Sequence, residues 1–340
     1  MHPLKVKQPA RFAGTLAAVT DSILDTPPKT TLADVERLRA VLKDVPAKQI
    51  DRNLLIATWN LREFGQLSQV WEQPQGQTPF RDLRAIRCIG EIVARFDVIG
   101  IQEVQQDISA LQALMKWLGP DWGLIMTDVT RGAKAGGERL AFVFDTRRVQ
   151  PSGLAGELVL SAEQLSGKDP GAIREQFART PYAVAFRSHG LTFILTTVHI
   201  VWGAGAKQRT PEIGAIADWL KDWSSGIDAN GHDLFVLGDF NIDREGDANY
   251  EALIRTGLRT PPELDKVART VTSEDGDHGT FYDQVAWFPK RLKLRYTSRA
   301  GRVKWKGQIL TEIDPNETTF RISDHYPLWT EFAVSETDPV

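Results

Sequence analysis

Apolar residues along this chain fall into short continuous runs, such as Leu54-Leu55-Ile56-Ala57, Val98-Ile99-Gly100-Ile101 and Leu234-Phe235-Val236-Leu237. Runs of this length, bounded by polar and turn-forming residues, read as strands buried on both faces. The pattern predicts strands at 53–59, 97–102, 122–127, 139–144, 181–187, 191–198, 233–238, 282–288, 292–297 and 326–334. Helices are predicted at 79–95, 107–118, 209–223 and 247–255. In 209–223, Ile213, Ile216, Ala217 and Leu220 form one apolar stripe, so Trp219 and Trp223 read as packing residues. Residues 1–50 read as an N-terminal extension with one short helix. Leu32, Val35, Leu38 and Leu42 recur there at helical spacing, with Thr30 or Thr31 as cap and Pro27-Pro28 and Pro46 as breakers. That helix is expected on the outside of a main domain spanning 51–336. Many strands, some of them consecutive, argue for mixed sheets. Two mixed β-sheets packed face to face with helices outside, a four-layer α/β sandwich, account for both strand count and length. Residues 65–78, 128–137, 202–208 and 273–280 read as loops, and long loops at one end of a sandwich commonly bind something.

Composition adds bounds. The chain has 340 residues, 42% hydrophobic and 25% charged, as expected of a globular protein with one large or two modest domains. No apolar run approaches the ~20 residues that span a bilayer. Residues 1–24 resemble a signal peptide loosely, but the apolar stretch is short and broken by Gly14 and Thr15, so it is not read as one. Cys88 is the one cysteine, which excludes an intramolecular disulfide; beside Ile86 and Ile89 it reads as a small buried apolar side chain. Both observations favour a cytoplasmic location. The ten tryptophans predict an aromatic-rich core. A net charge of −3 argues against a broadly basic nucleic-acid coat. Between Lys290 and Lys306, however, lie eight basic residues and no acid, with Tyr296 and Trp305 interleaved. This stripe suits a phosphate backbone or the solvated face of a hairpin.

The chemistry lies at strand ends. Asn60, Glu103, Glu138, His199, Asp239, Asn241, Asp324 and His325 each close or follow an apolar run. Carboxylates with amides suggest a hard divalent cation, and histidines beside carboxylates suggest proton transfer. Glu103 ends a buried strand, where a lone carboxylate is costly unless it is paired or holds a metal. Asp239 and Asn241 follow Gly238, which permits close backbone approach. Two apart, they project to one side if extended, whereas a turn-forming Asp/Asn pair is the plainer reading. Asp324 and His325 are adjacent and need not pair with each other.

These residues and their order resemble the endonuclease/exonuclease/phosphatase superfamily. The resemblance rests on Asn60 in Ala57-Thr58-Trp59-Asn60, Glu103 in Ile101-Gln102-Glu103, His199, Gly238-Asp239-Phe240-Asn241 and Ser323-Asp324-His325. It covers residues 53–334. Within it the chain is most similar to the pancreatic-type deoxyribonucleases. Glu138-Arg139-Leu140-Ala141-Phe142 resembles a strand whose Glu partners the first histidine. Phe177-Ala178-Arg179-Thr180-Pro181 resembles a segment whose Arg contacts substrate phosphate. Phe281-Tyr282-Asp283-Gln284-Val285 resembles a segment whose Asp partners the second histidine, with Gln284 in place of an Arg. The secreted branch's disulfides are absent, and the loop after His199 departs from the family's pattern.

The resemblance implies divalent-metal phosphodiester cleavage. Glu103 is then expected as principal ligand of Mg²⁺ or Mn²⁺, with Asn60 and Asp324 close by and Ca²⁺ as a conceivable structural ion. His199, held by Glu138, and His325, held by Asp283, would flank the phosphate. Asp239 would orient water, Asn241 a phosphate oxygen, and Arg179 would bind a non-bridging oxygen. Nucleic acid, DNA foremost, is the expected substrate and no membrane insertion is expected. A phosphatase or an inositol- or sphingomyelin-type phosphodiesterase of the same superfamily is the alternative, as is a binding module that has lost its chemistry. Oligomeric state is not addressed by the pattern.

Overall fold

The computed structural model describes residues 21–130, 136–166, 173–203, 205–227, 232–265, 267–272 and 280–334. The signal-peptide-like stretch up to residue 20 and most of the predicted loop 273–280 lie outside the described residues. The strands described are β1 Asn53–Phe64, β2 Val98–Val104, β3 Trp122–Met126, β4 Arg139–Asp145, β5 Gln150–Glu157, β6 Tyr182–Ser188, β7 Leu191–His199, β8 Asp233–Asp239, β9 Asp283–Trp287, β10 Arg295–Arg302 and β11 Leu328–Ala333. They form a six-stranded sheet in the order β10-β11-β1-β2-β4-β3 and a five-stranded sheet in the order β5-β6-β7-β8-β9. β1 pairs with β2, and β7 with β8, in parallel, while every other pairing is antiparallel, so both sheets are mixed.

Strand periodicity explains the layering. On β1, Leu54 and Ile56 face the core between the sheets, whereas Leu55, Ala57 and Trp59 face an outer core. On β8, Phe235 and Leu237 point inward and Leu234 and Val236 outward. Both faces are covered, which is why these strands read as unbroken apolar runs. The helices α1 Lys29–Val41, α2 Leu83–Val93 and α3 Ser109–Leu118 cover the six-stranded sheet. α5 Ala206–Ile227 and α6 Ala248–Ile254 cover the five-stranded one. The result is the four-layer sandwich expected from the pattern. Trp219 and Trp223 pack against each other on α5, and Cys88 is buried on α2 with its thiol pKa pushed up by burial.

The sheets meet closely under what will prove to be the site. A Cβ on Gly100 would stand 2.4 Å from Leu237 Cδ1. Gly238 has φ +134°, and a Cβ there would fall 2.1 Å from the carbonyl oxygen of Val198 on the neighbouring strand. Only glycine tolerates both conditions.

Several expectations shift. Edge strand β5 carries Pro151, Gly153 and Gly156 and is largely exposed, so it has no apolar signature to read. α4 Ala162–Leu165 and α7 Pro315–Arg321 are too short for a periodic stripe. β10 begins three residues later than expected and extends further, because its outward positions are the basic ones. The helix predicted from Thr31 starts at Lys29, behind Pro28, with no side-chain cap; Thr30 and Thr31 lie inside it.

The N-terminal segment is tied to the sheet by charge. Lys48 Nζ lies 3.1 Å from Asp145 at the end of β4, and Arg148 Nε lies 2.8 Å from Asp97, whose carboxylate also accepts the Leu55 amide. Burial alone would raise the Asp145 pKa, but hydrogen bonds from Arg147 and Lys48 outweigh it and hold the value at about 2. A carboxylate depressed from its ordinary value near 4 stabilises the fold above that value and loses the contribution as pH falls toward 2. Asp145→Asn is therefore expected to lower the melting temperature at neutral pH. In thermal scans from pH 7 to pH 2, the gap to the unmodified protein should narrow below about pH 4.

Candidate active site

Parallel and antiparallel pairing bring distant strand ends to one edge of the sandwich. Asn60 lies opposite Gln102 between β1 and β2, His199 opposite Asp239 between β7 and β8, and Asp239 opposite Asp283 between β8 and β9. Asn60 joins the two sheets. Its Nδ2 donates to Glu103 Oε1 at 2.9 Å and to Asp239 Oδ2 at 3.0 Å. The second oxygen of Glu103 accepts the Glu63 amide at 2.8 Å. Glu103 sits at an irregularity in the pairing of β2 with β4 and has φ 62°, a left-handed conformation that is unfavourable for a side chain of this kind. Such bulges re-aim a side chain away from the regular alternation.

Both histidines are buried and backed by carboxylates. His199 Nδ1 is 2.9 Å from Glu138 Oε2, and His325 Nδ1 is 2.6 Å from Asp283 Oδ2. Their Nε2 atoms converge on one oxygen, Asp239 Oδ2, at 3.7 Å and 3.9 Å. Burial alone would lower each imidazole pKa. For His199 the Glu138 hydrogen bond outweighs burial and the pKa rises. For His325 the Asp283 charge and hydrogen bond, with Asp239 and Asp324, raise it to about 10. Burial is the largest influence on Asp283 itself and pushes its carboxyl up to about 6. Glu138 moves the other way: His199 and Arg179 overcome its burial and lower its pKa. Each backing carboxylate holds Nδ1 and leaves Nε2 directed at the shared space, and for His325 the raised pKa favours the imidazolium.

The remaining candidates are also at this end. Arg179 Nη2 donates to Glu138 Oε1 at 3.0 Å, and its Nε lies 2.7 Å from Oε2, so Glu138 serves Arg179 and His199 together. Arg179 Nη1 is buried and has no hydrogen-bond partner among the described residues. Asp324 is partly exposed, 3.6 Å from Arg62 and 3.9 Å from His325 Nε2. Asn241 departs from the extended geometry expected of it. Its φ is 51°, its amide donates to Asp239 Oδ1 at 2.9 Å, and its Nδ2 donates to the Ile200 carbonyl at 2.7 Å. The Asp-to-amide turn is thus present, and it locks Asp239 in place because the carboxylate caps the turn.

Oxygen donors suited to a hard cation stand at Glu103 and Asn60. Asn60 Oδ1 is buried without a hydrogen-bond partner, beside a carboxylate. Among the described residues no three histidine, cysteine, aspartate or glutamate side chains form a ready-made metal cage. One carboxylate and one amide oxygen match a magnesium-type site, in which water and substrate phosphate complete the shell.

Several supporting residues were not legible beforehand. Gln102, beneath the site, donates to Thr58 on its own sheet at 3.1 Å and to Thr197 on the other at 2.9 Å. Arg81 is buried and donates to the carbonyls of Arg62 and Glu63 at the end of β1 and of Arg321 near Asp324, a clamp made of backbone acceptors. Burial lowers its pKa to about 10. Glu212 on α5 is buried between the His199 and Arg179 loops; burial raises its pKa, opposed by the backbone of Val201 and Ala178. Arg269 donates to the Asp283 carbonyl and supplies positive charge near that carboxylate, where Gln284 supplies none. Arg81, Glu212 and Arg269 come from helices and irregular segments and act through backbone groups, so no motif marks them, whereas Gln102 lies on β2 and acts through threonine hydroxyls.

The basic stripe lies on edge strand β10. Arg295 is at the far end and Arg302 at the site end, since Arg302 pairs with Leu328 and Leu328 with Thr58. Its aromatic residues are structural. Trp305 is buried and its indole, like that of Trp59, donates to the His325 carbonyl; Tyr296 packs on Trp287 and Phe332.

Comparison with known proteins identifies the family. The model of the Endonuclease/Exonuclease/phosphatase family matches residues 57–325. The chain therefore belongs to that family. A protein named deoxyribonuclease from Thioalkalivibrio sp. (strain K90mix) is 27% identical over 295 residues, 82% of this chain and 71% of that protein. Among solved structures, humanized D. rerio TDP2 superposes with TM-score 0.54 at 13% identity, covering 82% of this chain and 98% of that one. Bacteroides thetaiotaomicron VPI-5482 mannosyl-6-phosphatase Bt3783 superposes with TM-score 0.52 at 18% identity, covering 82% and 99%. These two share the fold. No helix among the described residues is long and apolar enough to cross a membrane.

Asn60→Ala would remove the donor shared by the partly buried Glu103 and the buried Asp239, leaving Asp239 Oδ2 without it. An unsatisfied buried acceptor costs about 1–3 kcal/mol. The variant is expected to unfold at correspondingly lower denaturant, with an unchanged m-value in urea titration. Asn60→Asp should be worse, because it adds a third carboxylate where a donor stood.

Proposed function

We propose that this protein is a divalent-metal-dependent phosphodiesterase acting on nucleic acid, DNA foremost. The observation that carries the reading is the convergence of two carboxylate-backed imidazole Nε2 atoms on Asp239 Oδ2, beside the Glu103–Asn60 oxygen pair. The kinship with a protein named deoxyribonuclease supports the choice of DNA.

Glu103 and Asn60 Oδ1 would hold Mg²⁺ or Mn²⁺, with Asp324 close by. When bound, such an ion supplies charge neutralisation at the phosphate. The protein's own groups supply the rest. Asp239 is held on both oxygens, by Asn60 and by the Asn241 amide, and so presents a fixed acceptor for the proton of an attacking water. His325, with its raised pKa, keeps a proton on Nε2 at neutral pH for an oxygen of the phosphate or the leaving group. His199 Nε2 reaches the same space and donates to a phosphate oxygen while Glu138 fixes its orientation. Arg179 Nη1 is the donor available for a non-bridging oxygen. Glu212 keeps the Arg179 and His199 loops at fixed separation, so that both donors address one phosphoryl group.

The test is nicking of supercoiled plasmid with Mg²⁺, with parallel assays on inositol phosphates and sphingomyelin. Nicking should stop with EDTA and return with added Mg²⁺. His199→Ala and His325→Ala should each lower kcat by about 10²–10⁴ while the circular dichroism spectrum stays unchanged. Near-normal nicking by His325→Ala would sink the mechanism. Turnover of the lipid or inositol substrates without nicking would sink the substrate assignment.

A further inference from the structure

Two aromatic surfaces stand beside the catalytic cluster and serve no core. Trp202 follows His199 by three residues. Among the described residues it is the exposed aromatic, with 52% of its surface in solvent. It is nevertheless held firmly. Its ring meets Tyr282 edge-on at 5.2 Å, and the Tyr282 ring lies 6.1 Å from that of His325. The Arg209 guanidinium sits 4.6 Å from the indole, donates to the Trp202 carbonyl at 3.0 Å, and also donates to the Asn241 carbonyl. An exposed indole braced by a buried arginine against a site residue is a platform rather than a stray surface group.

The second surface lines a cleft of about 670 Å³ that opens directly from Glu103 and Glu138. Its outer part carries Phe80 and Phe320, with ring centroids 5.5 Å apart. Arg62 stacks on Phe320 at 3.7 Å and lies 3.6 Å from Asp324. Gln66, Gln105 and Gln106 also line the cleft. One platform thus reaches the cluster through Asn241 and Tyr282, the other through Glu103 and Asp324.

We propose that Trp202 and the Phe80–Phe320 pair receive nucleobases on the two sides of the scissile phosphate, so that the substrate is a strand whose bases at that point are unpaired. The inference rests on the nucleic-acid reading above and narrows it. Every base has a face that stacks on an aromatic ring, and stacking requires that it leave its neighbours in a duplex. The three glutamine amides carry both donors and acceptors, which suit base edges; acyl chains would desolvate them without return. A sugar monophosphate would fill one side and leave the other platform idle. Arg302, at the site end of β10, places positive charge on the same end of the sandwich, which suits a phosphate backbone.

The test compares a single-stranded thymidine decamer with an abasic decamer of identical backbone, and with the decamer annealed to its complement, all cut by the full chain in Mg²⁺. The unmodified protein is expected to cut the base-bearing strand with kcat/KM about tenfold above the abasic strand, and faster than the duplex. Trp202→Ala and Phe80→Ala should each shrink the base-to-abasic ratio about fivefold or more, chiefly through KM, and Trp202→Phe should restore it. Equal rates on the two single strands, a duplex cut faster than either, or variants that slow both strands equally would overturn the proposal and leave phosphodiester cleavage standing. If no oligomer is cut at all, the nucleic-acid reading itself fails and the base platforms fall with it.

Discussion

One amide holds the active end of this protein together. Asn60 donates from a single nitrogen to Glu103 on its own sheet and to Asp239 on the other. Removing a carboxylate from water costs several kcal/mol, and two of them facing each other across a sheet interface would force the layers apart. A shared donor turns that repulsion into a joint. The sheets can approach this closely because Gly100 and Gly238 carry no Cβ, and Gln102 ties them again one layer down through Thr58 and Thr197. The candidate active site is thus a continuation of the inter-sheet core into polar chemistry.

Around that joint the structure places strain and charge where they can act. Glu103 is in a left-handed conformation that regular strand geometry would not require, and Asn241 is in another. Both are held by hydrogen bonds, Glu103 through Asn60 and Glu63, Asn241 through Asp239 and Ile200. Backbone strain of this kind persists where the surroundings over-determine it, which is the condition for a preorganised site. The two imidazoles are fixed at Nδ1 by buried carboxylates, so each keeps its Nε2 turned toward Asp239.

The four-layer architecture was legible because strands buried on both faces leave unbroken apolar runs, and the β1 and β8 runs are of that kind. The edge elements were not. β5 is exposed and glycine-rich, and β10 is hidden under its own basic residues. The stripe on β10 illustrates how a one-dimensional pattern misleads: Trp305 sits among the charges in sequence but inside the core in space, donating to the His325 carbonyl. In the site, each strand-end candidate lies at the same edge of the sandwich. The extended geometry assumed for Asp239 and Asn241 gave way to a turn, because the aspartate found a closer partner in the asparagine's backbone amide.

Residue types and their order were enough to specify the layers, the family resemblance and the identity of the polar groups at the strand ends, because apolar periodicity and short motifs are local properties of the chain. Tertiary structure alone decided that Asp239 lies between two histidines, that Glu138 serves both His199 and Arg179, and that Arg81, Arg209, Glu212 and Arg269 brace the site from outside it. Those contacts depend on sheet register and on backbone carbonyls and amides, which every residue possesses. They leave no mark on residue identity and become visible only when distant segments are brought within hydrogen-bonding distance.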